Sequence, residues 1–315
     1  MTAQLVRHWI ATGALDLPLP GAGRTAERWR RLAELTAVDV VAGRLAEAHA
    51  DAVAILAELN GPGAKPDELW GVWAAEGKDA VLGARRNGDG IVLAGTKVWC
   101  SGAGLCTHAL VTARLEFGPH AGQRGLFAVS LDDPGVCALP SGWRNAGMAG
   151  SDTRSVQFSG APAVAVGHPG AYLTRPGFWH GAAGVGACWL GGARAVAAPL
   201  YVRAADAHAL AHLGAVDAAI TAAEAVLRWA AEVVDADPHD RAGGAQRTAL
   251  RVRAVAENAV EEAITRTGRA LGPAPLCGDA DHARHVADLA IYVRQSHAER
   301  DLEQLGRLVF AGATR

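Results

Sequence analysis

Two pairs of residues stand out by type and spacing. The first is His297 and Asp301, near the end of the chain. Counted in steps of three and four, Val286, Leu289, Val293, His297, Asp301, Leu305 and Val309 form one stripe. A continuous helix from about 281 to 310 then puts the imidazole one turn from the carboxylate. A carboxylate there fixes the imidazole tautomer, as an acid–base pair facing the protein interior requires. The same spacing serves a structural buried pair, and Arg294 and Arg300 flank it as rival ion-pair partners. The second pair is Trp99 and Ser101. Strand side chains repeat every two residues, so the indole and the hydroxyl point the same way. A flat apolar face beside one hydrogen-bond donor suits a planar heterocycle. Two further histidines are weaker candidates. His180 follows Trp179 at a β-to-helix junction and reads as a surface or loop residue or as part of a cleft. His49, on or beside an apolar helical stripe, reads as a hydrogen-bonded core residue.

The elements that must position these residues follow from periodicity. Residues 1 to 24 carry Pro18, Pro20 and Gly21-Ala22-Gly23 and read as irregular. From Thr25, apolar residues recur at helical spacing through Val38, Val41, Leu45, Ala52 and Leu59, until Asn60-Gly61-Pro62-Gly63 stops them. The pattern then shifts to short strands at 71–75, 80–82, 91–93, 110–111, 126–129 and 155–158. Asn87-Gly88-Asp89-Gly90 predicts a tight hairpin before the strand that leads to Trp99. After Arg175 the chain reads as helical: a Gly/Ala-rich helix over 181–200, then 213–234, 247–271 and the last stretch. These signals predict an α+β multidomain chain. A short N-terminal helical segment spans 1–64, a middle antiparallel β-barrel or sandwich 65–174, and a C-terminal helical bundle 175–315.

Composition narrows the function classes. Of 315 residues, 50% are hydrophobic and the formal net charge is −2, a balance that argues against nucleic-acid or strongly membrane-electrostatic partners. The five cysteines are odd in number and widely spaced, and read as reduced core thiols of a cytoplasmic protein. The longest apolar window, Gly181 to Leu200, contains Arg194 and reads as a buried helix, with no membrane span expected. No secretory signal, metal-ligand spacing, P-loop or Gly-x-Gly-x-x-Gly motif is found.

The segment from Asn87 to Ala113, with its hairpin, its Gly95-Thr96-Lys97 step and Trp99-Cys100-Ser101, resembles the middle β-domain of the acyl-CoA dehydrogenase family of flavin enzymes. Trp143, Gly147-Met148, Ser151-Asp152-Thr153 and the strand Val156-Gln157-Phe158 resemble that family's next signature, in the expected order. The resemblance covers residues 25 to 315. It implies a bound FAD, with Trp99 stacking on the flavin and Ser101 bonded to its ring. Trp73-Ala74-Ala75-Glu76 occupies the family's first flavin-facing strand, so Trp73 and Ala75 are cofactor contacts by the same resemblance. Glu76 matches the family pattern, with Lys78-Asp79 standing in a shortened loop. Arg203 matches a family arginine that holds the cofactor pyrophosphate, and Leu271-Gly272-Pro273 falls at a turn that meets the adenosine half. A small-molecule substrate, acyl-CoA among the candidates, and a homodimer or homotetramer are further implications.

One departure matters. Where family dehydrogenases carry a catalytic glutamate in Tyr-Glu-Gly-Thr, this chain has Tyr292-Val293-Arg294-Gln295-Ser296-His297. His297 with Asp301 then becomes the acid–base candidate. Three functions remain open: oxidation of an acyl or acyl-like substrate on FAD, oxygen-dependent chemistry on reduced flavin in the same fold, and a non-catalytic binding partner.

Overall fold

The computed structural model describes residues 2–77 and 81–313; Lys78-Asp79 lies outside them. The chain divides into two compact units. One contains Met1–Asp16, Ala48–Asn145 and Ala149–Phe178, the other Leu17–Glu47, Ala146–Met148 and Trp179–Arg315.

The first unit is built on seven strands: β1 (Trp70–Trp73), β2 (Leu82–Asn87), β3 (Gly90–Cys100), β4 (His108–Leu115), β5 (Arg124–Ser130), β6 (Val136–Ala138) and β7 (Arg154–Val166). Five of them close a barrel in the order β4–β2–β3–β7–β5, because β5 also pairs with β4. Closure leaves these strands no free edge. The barrel is mixed rather than antiparallel: β1 and β2 both run parallel to β4. The predicted hairpin joins β2 to β3, with Asn87 opposite Gly90 and Gly88 at φ +59°.

β4 and β5 explain why several strands read as unbroken apolar runs. Ala109, Val111, Phe127 and Val129 pack in the barrel core with Trp73, Leu93 and Phe158. Their alternate neighbours Leu110, Leu126 and Ala128 pack outside it against Ala52, Ile55 and Leu56 of a helix. Both faces are covered, so both must be apolar. At Gly95, φ is +119° and a Cβ would sit 2.2 Å from the Val81 carbonyl oxygen, so only glycine fits the step before Lys97.

Helices α1 (Thr2–Ala11), α2 (Thr25–Val38) and α3 (Val40–Glu58) precede the strands. The N-terminus is therefore not irregular: Val6 and Trp9, one turn apart, bury α1. The stretch expected as one helix from Thr25 is two, because Asp39 takes an extended conformation and its carboxylate caps the Ala42 amide at 2.7 Å. α2 is capped from outside its own sequence. Arg24 gives no side-chain cap, while Asp235 accepts from the Thr25 amide at 3.0 Å and its hydroxyl at 2.6 Å.

A short α4 (Ala171–Thr174) leads to α5 (Gly177–Arg203), α6 (Ala207–Ala236), α7 (Ala245–Leu271), α8 (Ala274–Gly278), α9 (Ala280–Tyr292) and α10 (Glu299–Ala313). α5 and α6 are long and apolar enough to cross a membrane, and 61% of the α5 apolar window is buried inside the protein. The small residues of α5 serve close packing, as expected: a Cβ on Gly191 would lie 2.0 Å from the Ala33 carbonyl oxygen of α2. The last helix departs most from expectation. A short 3-10 turn at Val293–Gln295 and an extended Ser296 interrupt it, and Ala298 sits at φ +47°.

Candidate functional site

In the β unit the site begins at a defect in strand pairing. Lys97 pairs with Val156 and Cys100 with Arg154, so β3 carries one extra residue there. Trp99 occupies this bulge at φ +59°, a conformation that costs a bulky L-residue energy, and its side chain is 63% exposed. Exposed aromatic surface held by a strained backbone is unusual in a barrel wall. The expectation that Trp99 and Ser101 share a face by strand alternation fails, because the period is interrupted at the bulge and β3 ends at Cys100.

Ser101 instead stands in a turn built by the segment Ser151–Arg154. Gly102 donates to the Ser151 carbonyl at 2.7 Å, and Gly104 donates to the Asp152 carboxylate at 2.8 Å. Arg154 Nε holds the other Asp152 oxygen at 2.6 Å. Within this frame the Ser101 hydroxyl lies 3.0 Å from Thr153 Oγ1, which lies 2.8 Å from Ser151 Oγ. Trp73 supports the turn from below. Its indole is in the barrel core, only 2% exposed, and donates to the Ser101 carbonyl at 2.9 Å. A ring in that position cannot also offer its face to a ligand. Ala75 is exposed just past the end of β1.

Beneath Trp99, Lys97 is buried. Its ammonium reaches Glu76 Oε1 at 3.0 Å and the Thr112 carbonyl and hydroxyl at 2.9 and 2.8 Å. Burial lowers the Lys97 pKa, while Glu76 works against that shift. Burial alone would raise the Glu76 pKa, but Lys97, Arg124 and Thr112 together bring it below the usual value. The lysine therefore ties the segment after β1 to β4. Cys100 beside it is an inert thiol, pushed by burial to about 12. His49, on α3, is the hydrogen-bonded core residue expected: Nδ1 accepts from the Trp70 amide at 3.2 Å, and burial lowers its pKa to about 4 against the pull of Glu68.

The helical unit carries the other candidates. His297 and Asp301 are in contact, Nδ1 to Oδ1 3.3 Å, but not on one continuous helix facing inward. The histidine lies before α10 and its side chain is 67% exposed. The carboxylate also accepts from the His297 amide at 3.3 Å, closing the first turn of α10, and faces Arg253 Nε at 3.7 Å. Arg253, buried on α7, stacks over Trp189 at 4.5 Å and donates to the Gln295 carbonyl at 2.9 Å. Glu257 accepts from Ser296 at 2.5 Å. These contacts pin the break between α9 and α10. Tyr292 and Val293, where a family glutamate would fall, are both buried. His180 is not a surface residue; it is 3% exposed within α5. Arg203, at the exposed end of α5, lines a cavity of about 480 Å³ with Ala274, Pro275, Gly278, Asp279, Ala280 and Asp281. The structure thus joins Arg203 to the segment after Leu271-Gly272-Pro273. Of its two acidic residues, Asp279 accepts from the His282 amide at 3.0 Å and Asp281 pairs with Arg284 at 3.0 Å.

Sequence reasoning missed the contacts of Thr153 and Lys97, and missed Arg253 altogether. The polar run Ser151-Asp152-Thr153 before an alternating strand was the available signal for the first. Lys97 was marked only as the end of the Gly95-Thr96-Lys97 step, and Arg253 left no signal, since a charged residue in a strand or helix reads by default as solvated. Among the described residues no group of three or more His, Cys, Asp or Glu side chains is arranged to hold a metal.

Comparison with known proteins adds three results. Residues 74–161 match the family model for the acyl-CoA dehydrogenase middle domain. No curated protein sequence matches the chain. Solved structures match it over nearly its whole length. TdsC of Paenibacillus sp. A11-2, a dibenzothiophene monooxygenase solved with FMN and indole, is 19% identical with a TM-score of 0.78, covering 99% of this chain and 95% of that one. KijD3, solved with FMN and an amino-deoxy-keto sugar nucleotide, is 18% identical with a TM-score of 0.78 over 100% and 92%. A nitrososynthase from Micromonospora carbonacea var. africana is 17% identical with a TM-score of 0.78 over 96% and 88%. Residues 74–161 are an acyl-CoA dehydrogenase middle domain, and the chain that carries them has the acyl-CoA dehydrogenase-like fold, with helical parts before and after that domain in sequence.

Proposed function

We propose that this protein is a flavin-dependent oxidoreductase of the oxygen-using kind, acting on a small molecule. The observation that carries the reading is Trp99: a large aromatic held exposed at a strained bulge, two residues from a hydroxyl hydrogen-bonded to Thr153. An exposed indole face and an adjacent hydroxyl fit a flavin ring. Trp99 would stack on it and Ser101 would hydrogen-bond to it, while Trp73 and Lys97 hold the supporting backbone from within the barrel.

Two observations favour oxygen chemistry over acyl-CoA dehydrogenation. Tyr292-Val293-Arg294-Gln295 carries no glutamate matching the Tyr-Glu-Gly-Thr segment of the dehydrogenases. TdsC, a protein of the same fold, is a monooxygenase solved with FMN. In such a reaction one atom of O₂ enters the substrate and the other leaves as water, with two electrons supplied by the reduced flavin. A homodimer or homotetramer belongs to the same reading, and exposed Leu210 and Trp229 on α6 support it.

Anaerobic titration of the purified protein with oxidised and reduced FMN and FAD tests the proposal. Saturable binding of FMN, with oxygen consumption only when reduced flavin is supplied, is expected. Bleaching of a bound FAD by an acyl-CoA would restore the dehydrogenase reading. A protein that binds no flavin in either state would be a non-catalytic relative.

A further inference from the structure

We propose that Thr153 is a positioning residue for the Ser101 hydroxyl, and that the chain Ser151–Thr153–Ser101 lets Ser101 face a bound flavin either as donor or as acceptor. This rests on the flavin reading above.

The three oxygens lie in sequence, Ser101 Oγ to Thr153 Oγ1 3.0 Å and Thr153 Oγ1 to Ser151 Oγ 2.8 Å, both within hydrogen-bond range. Each hydroxyl carries one proton and two acceptor lone pairs. Two head-to-tail orderings therefore exist. When Ser151 donates to Thr153 and Thr153 to Ser101, the Ser101 proton is free to point away from the chain. When Ser101 donates to Thr153 and Thr153 to Ser151, Ser101 presents lone pairs instead. Rotation about three C–O bonds interconverts the two, and no covalent bond changes.

The frame around the chain is fixed, and in each of its two contacts either oxygen can be the donor. Ser151 is buried, and its carbonyl accepts from Gly102 at 2.7 Å. Asp152, at φ +47°, is held by Gly104 and Arg154. Such a chain matches a ligand whose ring nitrogen is an acceptor in one redox state and carries an N–H in the other. An oxidised flavin requires a donor from Ser101; a reduced flavin requires an acceptor. In the second case the Ser101 proton must turn inward, and Thr153 is the group that receives it.

Removing that receiver therefore penalises one redox state. In Thr153→Val, reduced FMN is expected to bind about tenfold more weakly, because a half-buried hydroxyl proton loses its partner. Oxidised FMN should change by less than about twofold, since Ser101 still donates outward. A tenfold split lowers the bound-flavin potential by about 30 mV. Thr153→Ser should restore both affinities. Ser151→Ala should give a smaller shift of the same sign, and it carries the test if Thr153→Val no longer unfolds cooperatively on heating. Anaerobic fluorescence titration with oxidised and dithionite-reduced FMN reads all of these. Equal losses in both redox states, or no loss in either, overturn the relay and leave the flavin reading intact. Failure of the unaltered protein to bind FMN in either state overturns the flavin reading, and the relay with it.

Discussion

The bulge of the β unit and the break in the last helix place polar candidates next to an interruption of regular structure, with opposite results. At the bulge, the interruption pushes an aromatic out to solvent while the adjacent turn is pinned by Ser151, Asp152, Arg154 and the Trp73 indole. At the break, the pair that periodicity put inside the protein comes to the surface. His297 is exposed, and Asp301 is occupied with its amide and with Arg253. At the bulge the surrounding contacts hold an aromatic outward. At the break they hold the backbone.

The comparison is sharpened first by removing what supports the β site. Trp73→Ala should destabilise the protein by about 3–5 kcal/mol, measured by urea unfolding, because it leaves a cavity in the barrel core. A loss below 1 kcal/mol would mean the turn does not depend on the core beneath it.

The second test uses pH. The His49 pKa is depressed, so the folded form stays neutral where the unfolded chain becomes protonated. Its stabilisation is complete above pH 6.5 and is lost as pH falls towards 4, about 3 kcal/mol in all. Unfolding free energies across that window should fall less steeply in His49→Gln; parallel curves would remove His49 from the account.

A third and smaller effect is expected at Lys97. Lys97→Met should cost about 1–3 kcal/mol, since Glu76 and Thr112 lose their shared donor. In Glu76→Gln/Lys97→Met the loss should be less than the sum of the two single changes, as a double-mutant cycle will show.

The smallest effect is predicted at the break. His297→Ala should change stability by less than about 0.5 kcal/mol, as exposed positions generally do. Turnover should stay within about threefold. A hundredfold loss of turnover with unchanged folding would reverse the comparison and restore His297 as an acid–base residue.

How much was legible in the sequence follows from the same contrast. The hairpin at Asn87–Gly90, most of the strands and the three long helices α5 to α7 were readable because each repeats a period or carries turn chemistry. The parallel pairing of β1 and β2 with β4 was not, since pairing direction is a long-range property. The separation of α2 from α3 rested on Asp39 acting as a cap, and an isolated aspartate within an apolar stripe does not announce that role. The displacement of Trp99 by one bulged residue and the end of α9 at Tyr292 both break a period at the residue of interest. Periodicity therefore named these residues and misdirected their side chains. Ser101 was found, but its partner Thr153 lies 52 residues away and only the fold brings them together.

The central claim is that an outward-held Trp99 makes a flavin platform. Titration of the unaltered protein and of Trp99→Ala with FMN, followed by visible absorbance and by thermal unfolding, tests it most directly. The account predicts saturable binding that weakens about 10- to 100-fold in Trp99→Ala, the scale of one lost stacking contact, with an unchanged unfolding temperature because the indole is exposed. Equal affinities for the two proteins would contradict it.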